Sequence, residues 1–204
     1  MPVGPALFPL EIGDFWVYQV TQQTYSLTAA PMLRQFQVQD KLVSSFVRNG
    51  QTVYQLDRSV RPSAQADWQM AGIRTVTATA AEVVVQEGNV PTVPLRFPVA
   101  TGTFWNVNAY NNRPDSLLRY RDIGRTVSVN NRLVAGTVAV VGANDSTLIG
   151  LYKRRWVYAP GVGLVFREEA DLAYCQSSPA CIGKTEITSG TRQTWALLSS
   201  NRWP

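Results

Sequence analysis

Histidine is absent from the 204 residues. That removes every serine or cysteine mechanism drawing on an imidazole base, and most zinc sites with it. No run of about 18 uninterrupted apolar residues is present to cross a bilayer as a helix. Charge is sparse at 16%, against 45% hydrophobic residues, which excludes the low-hydrophobicity composition of a disordered chain. What remains is a soluble globular protein, long enough for one large domain or two small ones. The net charge is +5, but its 19 basic and 14 acidic side chains are interspersed along the chain and form no long basic block. Nucleic acid is allowed by this balance, not indicated by it.

Cysteine is nearly absent too. Cys175 and Cys181 lie in YCQSSPAC, a spacing that fits neither a thioredoxin-like redox pair nor a tetrahedral zinc site. Five intervening residues that include Pro179 close readily into a small disulfide loop, worth roughly 2–2.5 kcal/mol on the loop-entropy model. The alternative is a pair of unbonded buried thiols. A disulfide implies an oxidising compartment. The opening residues MPVGPA have neither the charged start nor the apolar run of a signal peptide, so the expectation is a native leader removed ahead of them, with Met1 not native.

The apolar pattern has a period of two almost throughout. In QFQVQDKLVSSFV, Phe36 and Val38 share one face and glutamines the other, as in a half-buried antiparallel strand. Asn49-Gly50 follows, and because both residues tolerate positive φ the pair favours a two-residue type I′ hairpin turn. Comparable runs occur at 15–24, 73–79, 82–86, 103–110, 117–129, 133–141, 147–158, 164–174 and 191–198. Glu87-Gly88-Asn89, Asn130-Asn131, Gly142-Ala143-Asn144-Asp145 and Pro160-Gly161-Val162-Gly163 supply the reversals between them. No window of helical length carries a 3.6-residue period. The fold class expected is all-β, with little helix: a curved antiparallel sheet forming a half barrel or a sandwich.

FPLEIGDFW at 8–16 recurs as FPVATGTFW at 97–105, with Phe, Pro, Gly, Phe and Trp in register. Each copy would enter a sheet the same way: proline where no ladder donor is needed, glycine at a bend, and Phe-Trp laid toward the core. The alternatives are chance likeness in a chain rich in aromatics and proline, or two pseudo-repeated halves, 8–94 and 97–198; residues 1–7 are expected as an extended or disordered lead-in. The join PTVPLRFPV is apolar and unlike a linker, which favours a single domain over 8–204.

FPLEIGDFWVYQV, VPLRFPV with FWNVNAYN, NDSTLIG, RRWVYAPGVGLVFREE and the YC…C loop together resemble a largely uncharacterised group of secreted proteins and lipoproteins of Bacteroidetes-type bacteria, in the same order from about Phe8 to Gly190. The resemblance implies an extracytoplasmic address (periplasm, outer-membrane-associated or secreted) and an antiparallel β fold, and it brings no catalytic residues. Such proteins commonly carry a lipidated cysteine just upstream of the mature domain, so it also implies a membrane tether through a lipid anchor.

Specific chemistry is thin. Gly183-Lys184-Thr185 matches the end of a phosphate-binding loop, but Ser178 replaces the first glycine and a strand pattern follows where a helix is required. Glu168, Glu169 and Asp171 could supply the carboxylates of a glycoside hydrolase. Alternation puts Glu169 and Asp171 on one face and Glu168 on the other, and Arg154, Arg155 and Arg167 offer ion partners on a solvated strand. Asn144-Asp145-Ser146 lacks the alternating acids of a calcium loop. Arg113, Arg119, Arg121 and Arg125 surround Tyr110 and Tyr120, yet Arg119 and Arg121 face away from Tyr120, which breaks a nucleic-acid stacking platform. Six tryptophans and eight tyrosines either fill a core or line a cleft. Trp16 and Trp105, after the repeated turn, suit the core. Trp68 and Trp156, beside charged neighbours, suit a partly open pocket, and Tyr110, Tyr120, Arg119 and Arg121 complete the candidate ligand-binding set.

The function expected is a non-enzymatic envelope protein holding an apolar or amphiphilic, lipid-like ligand in the concave face of its sheet, with no catalytic residue, metal, cofactor or nucleic acid. The alternative is a surface module for glycan or protein partners. If the cysteines form the tie expected, cutting it in a Cys175→Ser, Cys181→Ser double variant lowers stability by roughly 2–2.5 kcal/mol in urea unfolding and leaves the far-ultraviolet spectrum unchanged.

Overall fold

Alternation of inward and outward side chains becomes twelve antiparallel strands in one sheet. The computed structural model describes residues 4–203, with 143–145 described by their backbone alone. The strands are β1 (Phe15–Ser26), β2 (Ala29–Arg48), β3 (Gln51–Arg61), β4 (Gln69–Ala78), β5 (Glu82–Glu87) and β6 (Val90–Arg96), then β7 (Phe104–Asn106), β8 (Leu117–Val129), β9 (Arg132–Ser146), β10 (Gly150–Ala159), β11 (Gly163–Tyr174) and β12 (Ile187–Ser200). Their order is β6-β5-β4-β3-β2-β1-β12-β11-β10-β9-β8-β7. Every strand therefore neighbours its successor except across the β6/β7 seam, and β1 pairs with β12 to join the chain's two ends.

The turns follow their chemistry. Asn49-Gly50, Gly88-Asn89 and Asn130-Asn131 each hold both residues at positive φ between strand ends that pair directly, such as Arg48 with Gln51. Register shifts interrupt most of the ladders, for example at Val17/Tyr18, Leu42/Ser44 and Val157/Tyr158. Each shift adds bend and twist to a strand, and together they curl the sheet into a nearly closed barrel. The expected half barrel is carried almost to closure, and the sandwich alternative is not adopted.

Closure happens at the seam. Val93 N–H donates to the Val107 carbonyl at 2.9 Å, and the Trp105 indole N–H to the Val93 carbonyl at 2.8 Å. From β8, the Tyr120 hydroxyl donates to the Arg96 carbonyl at 2.6 Å and accepts from the Arg96 N–H at 3.2 Å. These bonds satisfy part of the edge that β6 would otherwise expose.

The two FPxxxGxFW copies each lead into a strand, β1 and β7, that begins a run of six. Gly13 and Gly102 share positive φ values of 99° and 91°, a bend that a side chain would strain. Trp16 and Trp105 are both buried, and each donates its indole N–H to a backbone carbonyl, Trp16 to Val162 at 2.6 Å.

One end of the barrel is plugged. Residues 4–7 do not run as an extended or disordered lead-in: Pro5–Leu7 form a 3-10 turn, Leu7 has no exposed surface, and Gly161 N–H binds the Ala6 carbonyl at 2.8 Å. The reason is burial of a leucine large enough to cap the interior, worth roughly 1.5–3 kcal/mol. The opposite end carries the loop at 175–186, closed by the Cys175–Cys181 disulfide. On the outer face of β11 near that loop, Ala170, Leu172 and Tyr174 form a second small apolar cluster with Tyr25, Leu151 and Ile187.

Tyr120→Phe removes one hydroxyl and its two hydrogen bonds to the backbone of Arg96, a residue at the exposed end of β6. The expected cost is about 0.5–1.5 kcal/mol, read as a lower urea midpoint at unchanged slope. An unchanged midpoint means that the seam is held by other contacts.

Candidate functional site

The inward phase of the strands is not uniformly apolar. Asp40 lies between Val38 and Leu42 on β2, Arg58 after Leu56 on β3, Arg74 before Val76 on β4, and Arg167 and Glu169 after Val165 on β11; all four of these strands turn the same face to the interior. With Trp16, Tyr18, Trp156 and Trp195 they line a cavity of about 410 Å³ inside the barrel. Phe8 and Pro9, next to the plug, form part of its wall, and the exposed Glu87 and Arg113 mark its mouth.

Cross-strand register assembles the charges. Asp40 stands opposite Arg58, and Arg58 grips its two carboxylate oxygens at 2.7 and 2.8 Å. Arg74, opposite Glu87, reaches across to Asp40 at 2.8 Å. A third Arg58 nitrogen binds Glu87 at 2.9 Å. On the far wall, Glu169 accepts from Arg167 at 2.6 Å and from the Trp156 indole at 2.8 Å, with Arg154 at 3.6 Å. The guanidinium groups of Arg58 and Arg167 flank the Trp195 ring at 5.1 and 5.2 Å, within cation–π range.

Burial sets the protonation states. Desolvation by itself raises the Asp40 carboxyl, yet Arg58 and Arg74 outweigh it and hold Asp40 below its ordinary value of 3.8. Glu169 follows the same balance: desolvation raises it, and Arg167, the Trp156 indole and Arg154 bring it below 4.5. Tyr18 and Tyr158 are pushed up, first by desolvation. Arg74 is lowered from its ordinary value, first by desolvation and then, against the pull of Asp40, by Arg58 and Arg167. Both buried carboxylates are thus anions at neutral pH, and neither is raised as the general acid of a glycosidase must be. Glu168 is not across a cleft from Glu169. It points outward and pairs with Lys153 at 2.7 Å.

Of the residues singled out from sequence, Trp156 lines this cavity. Tyr120 is buried at the seam, held by Arg96. Alternation turns Arg119 and Arg121 to the outer face, opposite Tyr120. Tyr110, 55% exposed, donates to Glu82 at 2.6 Å outside the barrel. Trp68 lies under the Arg61 guanidinium at 4.3 Å, beside the polar ladder in which Arg61 donates to Gln37 and Gln37 to Gln19. These five residues are not part of the cavity wall. Of Asn144-Asp145-Ser146, the first two side chains lie outside those described. Arg154 and Arg167 do pair with Glu169 as ion partners, but facing inward instead of on a solvated face. Sequence reading missed Asp40, Arg58, Arg74 and Trp195. A charged residue in the apolar phase of a strand, as in VQDKL, was the available signal.

No family model matches the chain, and no curated protein matches it. Two solved structures overlap with it. One is a Parabacteroides distasonis protein provisionally assigned as a lipoprotein, 11% identical, with a TM-score of 0.48 over 96% of this chain and 98% of that one. The other is a Bacteroides fragilis protein provisionally assigned as exported, with a YmcC-like fold, 11% identical, with a TM-score of 0.44 over 96% of this chain and 98% of that one.

Asp40→Asn removes the buried charge between Arg58 and Arg74 and leaves them only the exposed Glu87 as a carboxylate partner, an expected loss of roughly 3–5 kcal/mol in urea unfolding. Lys153→Ala, at the outward pair, costs less than about 1 kcal/mol. Because Asp40 and Glu169 are depressed in the folded state, their contribution is complete above their ordinary values and fades as pH falls below about 4.5. The raised Tyr18 and Tyr158 act oppositely, and stability falls as pH rises past about 10. Urea midpoints measured across pH should show a plateau between these limits; a midpoint unchanged down to about pH 3 contradicts the assignment.

Proposed function

We propose that this chain is a non-enzymatic, extracytoplasmic protein that holds an amphiphilic molecule inside its barrel. The observation that carries the reading is the cavity of about 410 Å³, a size typical of small-molecule sites, lined on one hand by Trp16, Trp156, Leu56 and Val85 and on the other by arginines. The wall is mixed, with aromatic and aliphatic side chains beside arginines and carboxylates, and a concave site that joins the two kinds of surface suits a molecule with both an apolar and a polar part. The Cys175–Cys181 disulfide supports an oxidising compartment. The absence of histidine from the sequence and the ionised state of both buried carboxylates support binding over bond breaking.

The test is saturable binding of N-phenylnaphthylamine, an apolar fluorophore, and its competition by envelope lipid extract. A Val90→Trp variant, which places a large ring in the cavity wall, is expected to weaken binding by about tenfold or more with the melting temperature maintained. Absence of saturable binding, or binding that Val90→Trp leaves unchanged, contradicts the proposal.

A further inference from the structure

We infer that the molecule held in the barrel carries an anionic group, a carboxylate or a phosphate, which receives hydrogen bonds from Arg74, Arg167 and Trp195. This rests on the binding reading above and adds the class of ligand. Among the described residues, three buried side-chain nitrogens lack a hydrogen-bond partner: Arg74 Nε, Arg167 Nε and Trp195 Nε1. All three residues line the same cavity. Buried polar groups are nearly always paired, and each orphan costs about 1–3 kcal/mol, so three on residues that line the same cavity from both sides call for a partner placed inside it. All three are donors. The partner they share must be an acceptor.

Charge narrows it further. The wall holds five arginines against three carboxylates, and the carboxylates are already engaged. Each of the three nitrogens of Arg58 already donates to a carboxylate, of Asp40 or Glu87. Arg74 and Arg167 are each held at one end, by Asp40 at 2.8 Å and Glu169 at 2.6 Å, which fixes their planes and leaves Nε over. The Nε of Arg74 lies 3.4 Å from Glu87 without the alignment of a hydrogen bond. Trp195 is 6% exposed and clamped between Arg58 and Arg167, so its indole N–H cannot turn to solvent. Arg167 lowers the pKa of Arg74, a repulsion that an anion between them relieves. A cationic head would meet the same guanidinium groups with no carboxylate left to receive it. Leu56, Val85, Pro94 and Leu164 supply the apolar wall for the rest of the molecule.

Calorimetric titration of the purified protein below micellar concentrations decides this, with dodecyl phosphate, laurate, dodecanol, dodecyltrimethylammonium and inorganic phosphate as probes. The two anionic chains should bind at least about tenfold more tightly than dodecanol, and the cationic chain should not bind. Arg167→Gln and Arg74→Gln should bring the anions toward the dodecanol level while leaving dodecanol itself unchanged. Trp195→Phe keeps an aromatic ring but removes the N–H donor along with part of the indole bulk, so its effect is read against dodecanol: it should weaken the anions by about fivefold more than dodecanol, and it stands in if the arginine variants fail to fold. Equal affinity for dodecanol and the anionic chains overturns the anionic inference and leaves the binding reading intact. Failure of all five probes overturns both. Inorganic phosphate binding as tightly as dodecyl phosphate, with dodecanol not binding, supports the donor site and overturns the amphiphilic reading.

Discussion

A sheet of twelve strands that curls nearly shut encloses more space than side chains of ordinary size can fill. Barrels of about eight strands are just filled by their own interior residues, and wider ones must hold long side chains, a ligand or water. Here the solution combines two of these. Tryptophan and arginine, the longest side chains available, span the interior from opposite walls, and a cavity still remains between them. The plug at one end and the short β7 strand at the seam follow from the same geometry: each covers a place where the sheet cannot seal itself.

Arginine can serve as a filler only if its charge is met. Asp40 neutralises Arg58 and part of Arg74, and Glu169 does the same for Arg167 and Arg154, so each wall of the barrel carries a short ionic network instead of a lone buried charge. Such networks contribute little net stability compared with apolar packing, since desolvation offsets most of their attraction. They do fix orientation. A guanidinium held at one end by a carboxylate and stacked on an indole has its remaining donors aimed in a set direction, which is the pre-organisation that a binding site needs.

The outer face shows how the same residue types behave without enclosure. Lys153 pairs with Glu168, Arg61 covers Trp68, and Tyr110 meets Glu82, all half-buried or exposed. These contacts tidy the surface between strands and carry no unmet donors among the described residues. The difference between Glu168 and Glu169, adjacent in sequence, is one step of the pleat.

Alternation, turn dipeptides and the paired FPxxxGxFW segments were enough to determine an all-β chain, the hairpins at Asn49-Gly50, Gly88-Asn89 and Asn130-Asn131 and the burial of Trp16 and Trp105, because these depend on local geometry and a period of two. The tie between Cys175 and Cys181 was legible for the same reason, its partners being six residues apart. The reversal expected at Gly142-Ala143-Asn144-Asp145 instead continues as strand β9 to Ser146, held by its pairing with β10, and the chain turns after it. Which face of each strand looks inward at a given height was decided only by the tertiary structure. Arg58 and Arg74 meet Asp40 through the register of β2, β3 and β4, and Trp195 meets Arg167 through that of β11 and β12, contacts that no spacing along the chain encodes. Trp156 could be singled out from its charged neighbours, whereas Tyr120 could not be assigned to the seam, because the seam exists only once β6 and β7, consecutive in the chain, have been carried around opposite sides of the barrel to face each other.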